Sequence, residues 1–291
     1  MGEEMTLRLA VPNKGRLSDR SVEILKRAGL DIENGGERKL YAPVKNMDFE
    51  IMFLRAQDIV RFVHTGAVDL GITGKDLVME SGLDMEIVQT LNYGYCRLSV
   101  ASPEGSGIDA VDDVPDGAVV ATSFPHMTNE FFESKGKKVK ITAVSGAAEV
   151  TPRIGVADII VDLVSSGSTL KGNRLKEIGT ILESWAVVVA NKESLKAKEE
   201  EIRELTEAIR SVTDAEEKKY LMADVPKEAL DEIKSFLPGI AGPTVMNIMG
   251  RDDCVAIHVV VDKDKVYESV TRLKKLGASG ILIMPIDRMV P

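Results

Sequence analysis

ADIIVDLVSSGSTLKGNRL, residues 157–175, is the stretch from which the rest of the chain is read. Branched and small apolar residues interrupted by Asp158 and Asp162 make a strand. Ser165, Ser166, Gly167, Ser168 and Thr169 end it, and the residues after them turn helical. Strand, hydroxyl-rich loop and helical turn in that order form a βα unit of an α/β protein. Positions 158, 160 and 162 of a strand share a face, so the two carboxylates are expected to point the same way near the strand's end. The loop can present successive backbone N–H groups, with Gly167 free to take a positive φ. Its hydroxyls add donors at a helix N-terminus, where the dipole favours anions. This combination suits a sugar phosphate, with the phosphate on the loop and a carboxylate accepting hydrogen bonds from ribose hydroxyls. Taken alone, the loop also reads as an ordinary strand-to-helix turn with a capping serine.

The same grammar extends in both directions. Leu7–Val11 reads as a strand, PNKGRLSD as the turn after it, and Val22, Leu25 and Ala28 as the apolar face of a helix closed by Gly29. Phe49–Leu54 is a strand leading into the helix AQDIVRFVHTG, followed by the strand Val68–Ile72. Cys96–Ala101, Ala118–Ala121 and Val139–Val144 are expected strands, Met127–Ser134 a helix and Ala147–Gly155 a short one. Strands alternating with helices predict mainly parallel sheets, with ligands beyond the carboxyl ends of strands. Residues 191–220 read as one charged helix whose buried stripe is Leu195, Ile202, Leu205, Ile209 and Val212. From Tyr220 the order becomes β-α-β-β-α-β: Tyr220–Ala223, Pro226–Phe236, Val245–Met249, Val255–Val261, Asp264–Leu276 and Ile281–Ile286. That is the ferredoxin-like unit.

Composition narrows the function classes. A chain of 291 residues predicts two or three domains, and 44% hydrophobic with 29% charged residues fits a soluble globular protein. No apolar run approaches the ~20 residues of a spanning helix. The start of the chain is acidic where a signal peptide is basic, and the two cysteines, Cys96 and Cys254, allow neither a disulfide scaffold nor a cysteine metal site. A cytoplasmic protein is expected. The net charge of −9 argues against nucleic acid as the main partner, though not against a small anion held by local donors. His64, His126 and His258 show no metal-ligand spacing, and no catalytic triad can be assembled. GITGKD (71–76) is two residues short of a P-loop and carries Asp76 in place of the metal-binding hydroxyl.

Seven segments, in order, resemble the ATP phosphoribosyltransferase family, which catalyses the first step of histidine biosynthesis. They are NKGRL (13–17), RAQDI (55–59), DLGITGKD (69–76), YCRLSVA (95–101), ATSFP (121–125), SGAAEVTPRIGVADIIVDLVSSGSTL (145–170), and GPTV (242–245) with GASGILIMPI (277–286). The resemblance implies two α/β lobes similar to periplasmic binding proteins, with the active site between them. It places lobe I at 1–97, completed by about 180–215, and lobe II at 98–179. A regulatory domain of the long form follows at 219–291.

The resemblance also implies residue roles. The loop Ser165–Thr169 would bind 5-phospho-α-D-ribose 1-diphosphate (PRPP), while Asp158, Asp162 and Glu149 would be catalytic carboxylates at the ribose. Lys14, Gly15, Arg16, Arg55, Asp69, Gly71 and Arg97 would serve ATP. By themselves, Lys14 and Arg16 read better as a solvated turn, and Glu149 as a helix-dipole partner. Asp224, Ile240, Thr244 and Ala278, with the turn AGPT (241–244), fall where the family's histidine pocket lies. Mg²⁺ is the implied cofactor, with its ligands left open. ATP, PRPP and inhibitory histidine are the implied partners, together with a homodimer associating into homohexamers and no membrane. The rival is a two-lobed ligand sensor without catalysis, which would not need the Asp-bearing strand ahead of SSGST.

Overall fold

The computed structural model describes residues 6–33, 40–240 and 242–290. Residues 1–5, 34–39 and 291, which fall within the expected domains 1–97 and 219–291, lie outside the described residues. β1 (Leu7–Pro12) is buried at every position except Arg8, as befits a central strand covered on both faces. α1 (Ser18–Arg27), β2 (Tyr41–Pro43), β3 (Phe49–Leu54), α2 (Ala56–His64), β4 (Leu70–Gly74), α3 (Lys75–Ser81) and β5 (Glu86–Thr90) follow. The chain then builds a second sheet from β6 (Cys96–Pro103), β7 (Val119–Thr122), α4 (Pro125–Ser134), β8 (Lys140–Ala143), β9 (Ile159–Val164), α5 (Ser168–Gly172) and β10 (Leu175–Ser184). It returns through β11 (Ala186–Ala190) to the first sheet, then runs into α6 (Lys192–Ala197) and α7 (Glu199–Glu216).

The first sheet has the order β2-β3-β1-β4-β11-β5 and the second β10-β6-β9-β7-β8. Both are mixed rather than mainly parallel. β1 runs parallel to β3 and β4, and β7 runs parallel to β8 and β9. β11 opposes β4 and β5, whereas β6 opposes β9 and β10. β6, β10 and β11 carry the two passages of the chain between the sheets, and the short β2 opposes its neighbour β3 at the edge of the first sheet. Period-2 alternation sends Leu98 and Val100 into a core with Phe132, Ile159 and Val161. On the opposite face, Ala101, Ile160, Val164 and Leu170 pack together.

Two expected helices differ. Ala147–Gly155 is only a 3-10 turn at Ala148–Val150. The single helix expected over 191–220 is broken at Lys198, which turns its ammonium inward onto Asp69.

By contact density, one compact unit takes in residues through Glu23 and Asp31–Arg203, and the other Ile24–Leu30 and Glu204 onward. The second unit therefore starts before the expected position 219. It contains β12 (Lys218–Pro226), α8 (Leu230–Phe236), β13 (Thr244–Ile248), β14 (Arg251–Asp262), α9 (Val266–Lys275) and β15 (Ser279–Pro285). Their order β13-β14-β12-β15, all antiparallel, is the ferredoxin-like arrangement. Leu221, Val225, Ile233, Ile257 and Leu273 form its core.

Candidate active site

β9 delivers the hydroxyl-rich loop to the carboxyl end of the second sheet, where open α/β sheets place their ligands. Ser165–Thr169 line a cavity of about 240 Å³ together with Glu149 and Asp162. Gly167 has φ +77°, a backbone conformation that costs other residues energy. Ser168 N–H donates to Ser166 Oγ at 3.4 Å, while the two serine hydroxyls lie 3.0 Å apart. The N–H groups of Ser166, Gly167 and Thr169 have no acceptor among the described residues. The helix that follows is only five residues long, so loop donors and hydroxyls, rather than a macrodipole, are what this end of β9 offers an anion.

Asp162 is half-buried, and its Oδ1 accepts the Leu163 N–H at 2.7 Å. Burial pushes its carboxyl above the ordinary range, the Leu163 hydrogen bond opposes this, and the charge of Glu149 adds to the rise. Glu149 reaches the same cavity from the 3-10 turn after Ala147, a non-glycine residue held at φ +54°. A second hollow of about 440 Å³ shares Glu149 and is lined by Arg153, Asn173 and Arg174.

Asp158 is not brought to this cavity. It precedes β9, and its Oδ2 accepts the Val119 N–H at 2.8 Å, tying the start of β9 to the start of β7. Four residues of strand put it roughly 13 Å from Asp162. The expectation that both carboxylates meet near the strand's end is corrected: a shared face does not mean a shared end.

In the first sheet, Lys14, Gly15 and Arg16 follow the carboxyl end of β1, and Arg55 follows that of β3. The Asn13 N–H donates to Leu54 O at 2.7 Å and joins the two loops. Gly15 takes φ +85°. Arg16 donates to Cys96 Sγ at 2.8 Å and Tyr95 O at 3.4 Å, where the chain enters the second sheet. Lys14 and Arg55 are exposed, without side-chain partners among the described residues. Asp69 and Gly71 are placed differently from the substrate role expected of them. Asp69 sits at the opposite, amino end of β4, where it accepts hydrogen bonds from Arg8 N–H, Ser194 Oγ and Lys198 Nζ. Gly71 is buried beneath α2, and a Cβ there would stand 2.3 Å from Ile59 Cγ2.

Arg97, also expected at ATP, is engaged by a residue that sequence reasoning missed. Its Nε and Nη2 donate to the two oxygens of Glu177, each at 2.6 Å, and its Nη1 donates to Ser165 O at 3.3 Å. Ser99 Oγ donates to the same carboxylate at 2.8 Å. Glu80 was missed too. Its two oxygens accept the His126 and Met127 N–H groups at 3.0 Å, so a side chain of α3 caps α4. At the crossings between sheets, the Tyr95 and Trp185 rings lie 5.0 Å apart, and Lys75 N–H donates to Trp185 O. Nothing in the local sequence pattern marks these pairs.

Within the second unit, Asp224 lies in register with Ala256 and Ser279, beside Ala278. Thr244 pairs with His258 on the same sheet face, two strands away, roughly 12 Å from Asp224. Ile240 lines a separate hollow with Lys218, Phe236 and Asp262, so one chain does not gather all four expected residues around one point. Ala241, which opens the AGPT turn, lies outside the described residues.

Comparison with known proteins bears on the whole chain. Residues 55–211 match the family described as ATP phosphoribosyltransferase, and residues 215–288 match the HisG C-terminal domain. The chain is 43% identical over 287 residues to the ATP phosphoribosyltransferase of Methanothermobacter thermautotrophicus, covering 99% of this chain and 100% of that one. To the same enzyme of Natronomonas pharaonis it is 45% identical over 285 residues, covering 98% and 100%. Among solved structures it is similar to the ATP phosphoribosyl transferase (HisG:HisZ) complex from Thermotoga maritima. The TM-score is 0.62 at 30% identity, covering 70% of this chain and 98% of that chain.

Proposed function

The chain belongs to the ATP phosphoribosyltransferase family, and we propose that it joins ATP to PRPP in the first step of histidine biosynthesis, releasing pyrophosphate. One observation carries the assignment of its site: Asp162 and Glu149 line the same cavity as the Ser165–Thr169 loop. The loop takes the 5-phosphate, and the carboxylates accept hydrogen bonds from the ribose hydroxyls. Lys14, Arg16 and Arg55, at the carboxyl ends of the first sheet, hold the nucleotide. Adenine N1 donates its lone pair to the anomeric carbon with inversion, and the electrons of the broken C–O bond leave with pyrophosphate. Positive charge grows on the ribose as that bond stretches, facing Asp162 and Glu149. No protein nucleophile is needed, so rate enhancement rests on alignment and charge stabilisation. Asp158 has no part in this chemistry.

Mg²⁺ fits the same pair of carboxylates. Asp162 and Glu149, two carboxylates lining one cavity, are the side chains that would hold it there. Among the described residues no three acidic, histidine or cysteine side chains converge, so substrate phosphates would complete the coordination, as Mg²⁺ commonly requires. When bound, the ion neutralises charge on the departing diphosphate.

Inhibition by histidine at the face carrying Asp224 and Thr244, association into homodimers and homohexamers, and a cytoplasmic setting complete the proposal. No helix among the described residues is long and apolar enough to cross a membrane. Pyrophosphate release that requires PRPP, ATP and Mg²⁺ together is the test. A protein that binds ligands yet releases none would be the sensor instead.

A further inference from the structure

Arg97 and Glu177 are 80 residues apart in the chain but occupy the same face of the second sheet, on β6 and β10. Their contact is a fork on a fork, two N–H···O bonds of 2.6 Å, the geometry that fixes a guanidinium's orientation as well as its place. Ser99, only 1% exposed, holds the carboxylate from behind with its hydroxyl. With two nitrogens engaged, Nη1 points at the carbonyl oxygen of Ser165, the first residue of the loop. The guanidinium bond and the Ser99 hydroxyl hold the Glu177 carboxyl below its ordinary range, so it stays charged at neutral pH.

We propose that Glu177 is a positioning residue for PRPP, acting through Arg97 to pin the start of the Ser165–Thr169 loop. An arginine without a carboxylate partner next to a phosphate-binding loop would swing to the phosphate as a point of charge. Glu177 neutralises it and directs its remaining donor to a backbone carbonyl. What Arg97 contributes to the loop is therefore order, and that order depends on a side chain outside the cavity. This inference rests on the reading that the loop binds PRPP.

The test is steady-state kinetics on the full-length enzyme with PRPP and ATP varied separately. Glu177→Gln keeps shape and one acceptor but loses the charge and the second acceptor. It is expected to raise KM for PRPP at least fivefold while KM for ATP stays within twofold. Arg97→Lys should do the same, and the double variant should be no worse than Arg97→Lys alone, because the two residues act as one unit. Ser99→Ala should shift KM for PRPP in the same direction by less. If Glu177→Gln does not fold, Arg97→Lys and Ser99→Ala decide by the same split. Parallel rises in both KM values, additive losses, or an unchanged KM for PRPP would overturn the proposal. Failure of the underlying reading would look different, because Gly167→Val, within the loop itself, would then leave PRPP affinity intact.

Discussion

Asp69 and Lys198 form a buried ion pair, with Nζ 2.8 Å from Oδ2 and neither side chain more than 11% exposed. The second carboxylate oxygen accepts Ser194 Oγ at 2.6 Å, and Oδ2 also takes the Arg8 N–H. One carboxylate thus ties β1, β4 and the break between α6 and α7 together, at the amino end of β4. Desolvating two charges is costly, and a pair of this kind holds only while both partners and their hydrogen bonds remain.

Asp69→Asn should therefore act on stability. Leaving the Lys198 ammonium buried without its counter-charge is expected to cost about 3–5 kcal/mol, read as a lower midpoint in denaturant. The surviving folded enzyme should keep its KM for both substrates within twofold. A selective rise in KM for ATP at unchanged stability would return Asp69 to the nucleotide site.

Gly71→Ala should behave similarly. The added Cβ meets Ile59 Cγ2 at 2.3 Å and Val63 Cγ2 at 2.9 Å, so α2 must shift on the sheet. Overpacking of this kind costs about 1–3 kcal/mol. A thermal melt is the measurement, and an unchanged midpoint would show that α2 has room to move.

Asp162→Asn separates function from stability. Asparagine keeps the acceptor for the Leu163 N–H and removes the charge that burial penalises. Because the folded-state carboxyl is raised, the folded protein binds the proton more tightly than the unfolded chain. Stability of the wild type therefore falls as pH rises from the ordinary carboxylate range through the raised value. The variant lacks that loss, so it should be the more stable protein at neutral pH, and its advantage should shrink on acidification. Turnover should fall by more than binding does. Melts from pH 4 to 8 alongside activity check both halves, and a variant with full turnover would make Asp162 structural.

Much of this was legible in the sequence where one short segment carried the information. The loop from Ser165 to Thr169 is contiguous, its glycine sits where a positive φ is needed, and its cavity follows from the strand before it. The β-α-β-β-α-β order was legible too, because each element of the second unit has its own periodicity and stops. Strand ends were not. Asp69, Asp158 and Asp162 look alike beside apolar runs, yet the first two lie at the amino ends of β4 and β9. β10 was missed because Lys176, Glu177 and Thr180 dilute its apolar pattern and two irregularities disturb its register against β6. With β10 unseen, the bond from Arg97 to Glu177 had no local signal.

Asp224→Ala tests regulation apart from catalysis. The carboxylate lies on a sheet face of the second unit, and Gly280 is close enough that a Cβ there would be 3.3 Å from its Oδ2. A histidine ammonium bound at that face would lose its acceptor. Turnover without histidine should be near normal, and the inhibitory concentration should rise at least tenfold, about 1.4 kcal/mol of binding. Undiminished inhibition would move the effector site elsewhere.

The central claim is that the Ser165–Thr169 loop holds the phosphate of PRPP, and calorimetric titration of Gly167→Val with each substrate measures it most directly. Valine at φ +77° is strained and carries a branched side chain into a loop that phosphate must approach. PRPP affinity is expected to fall at least tenfold, with ATP affinity within twofold of wild type. Equal loss for both substrates, or PRPP affinity left intact, would contradict it.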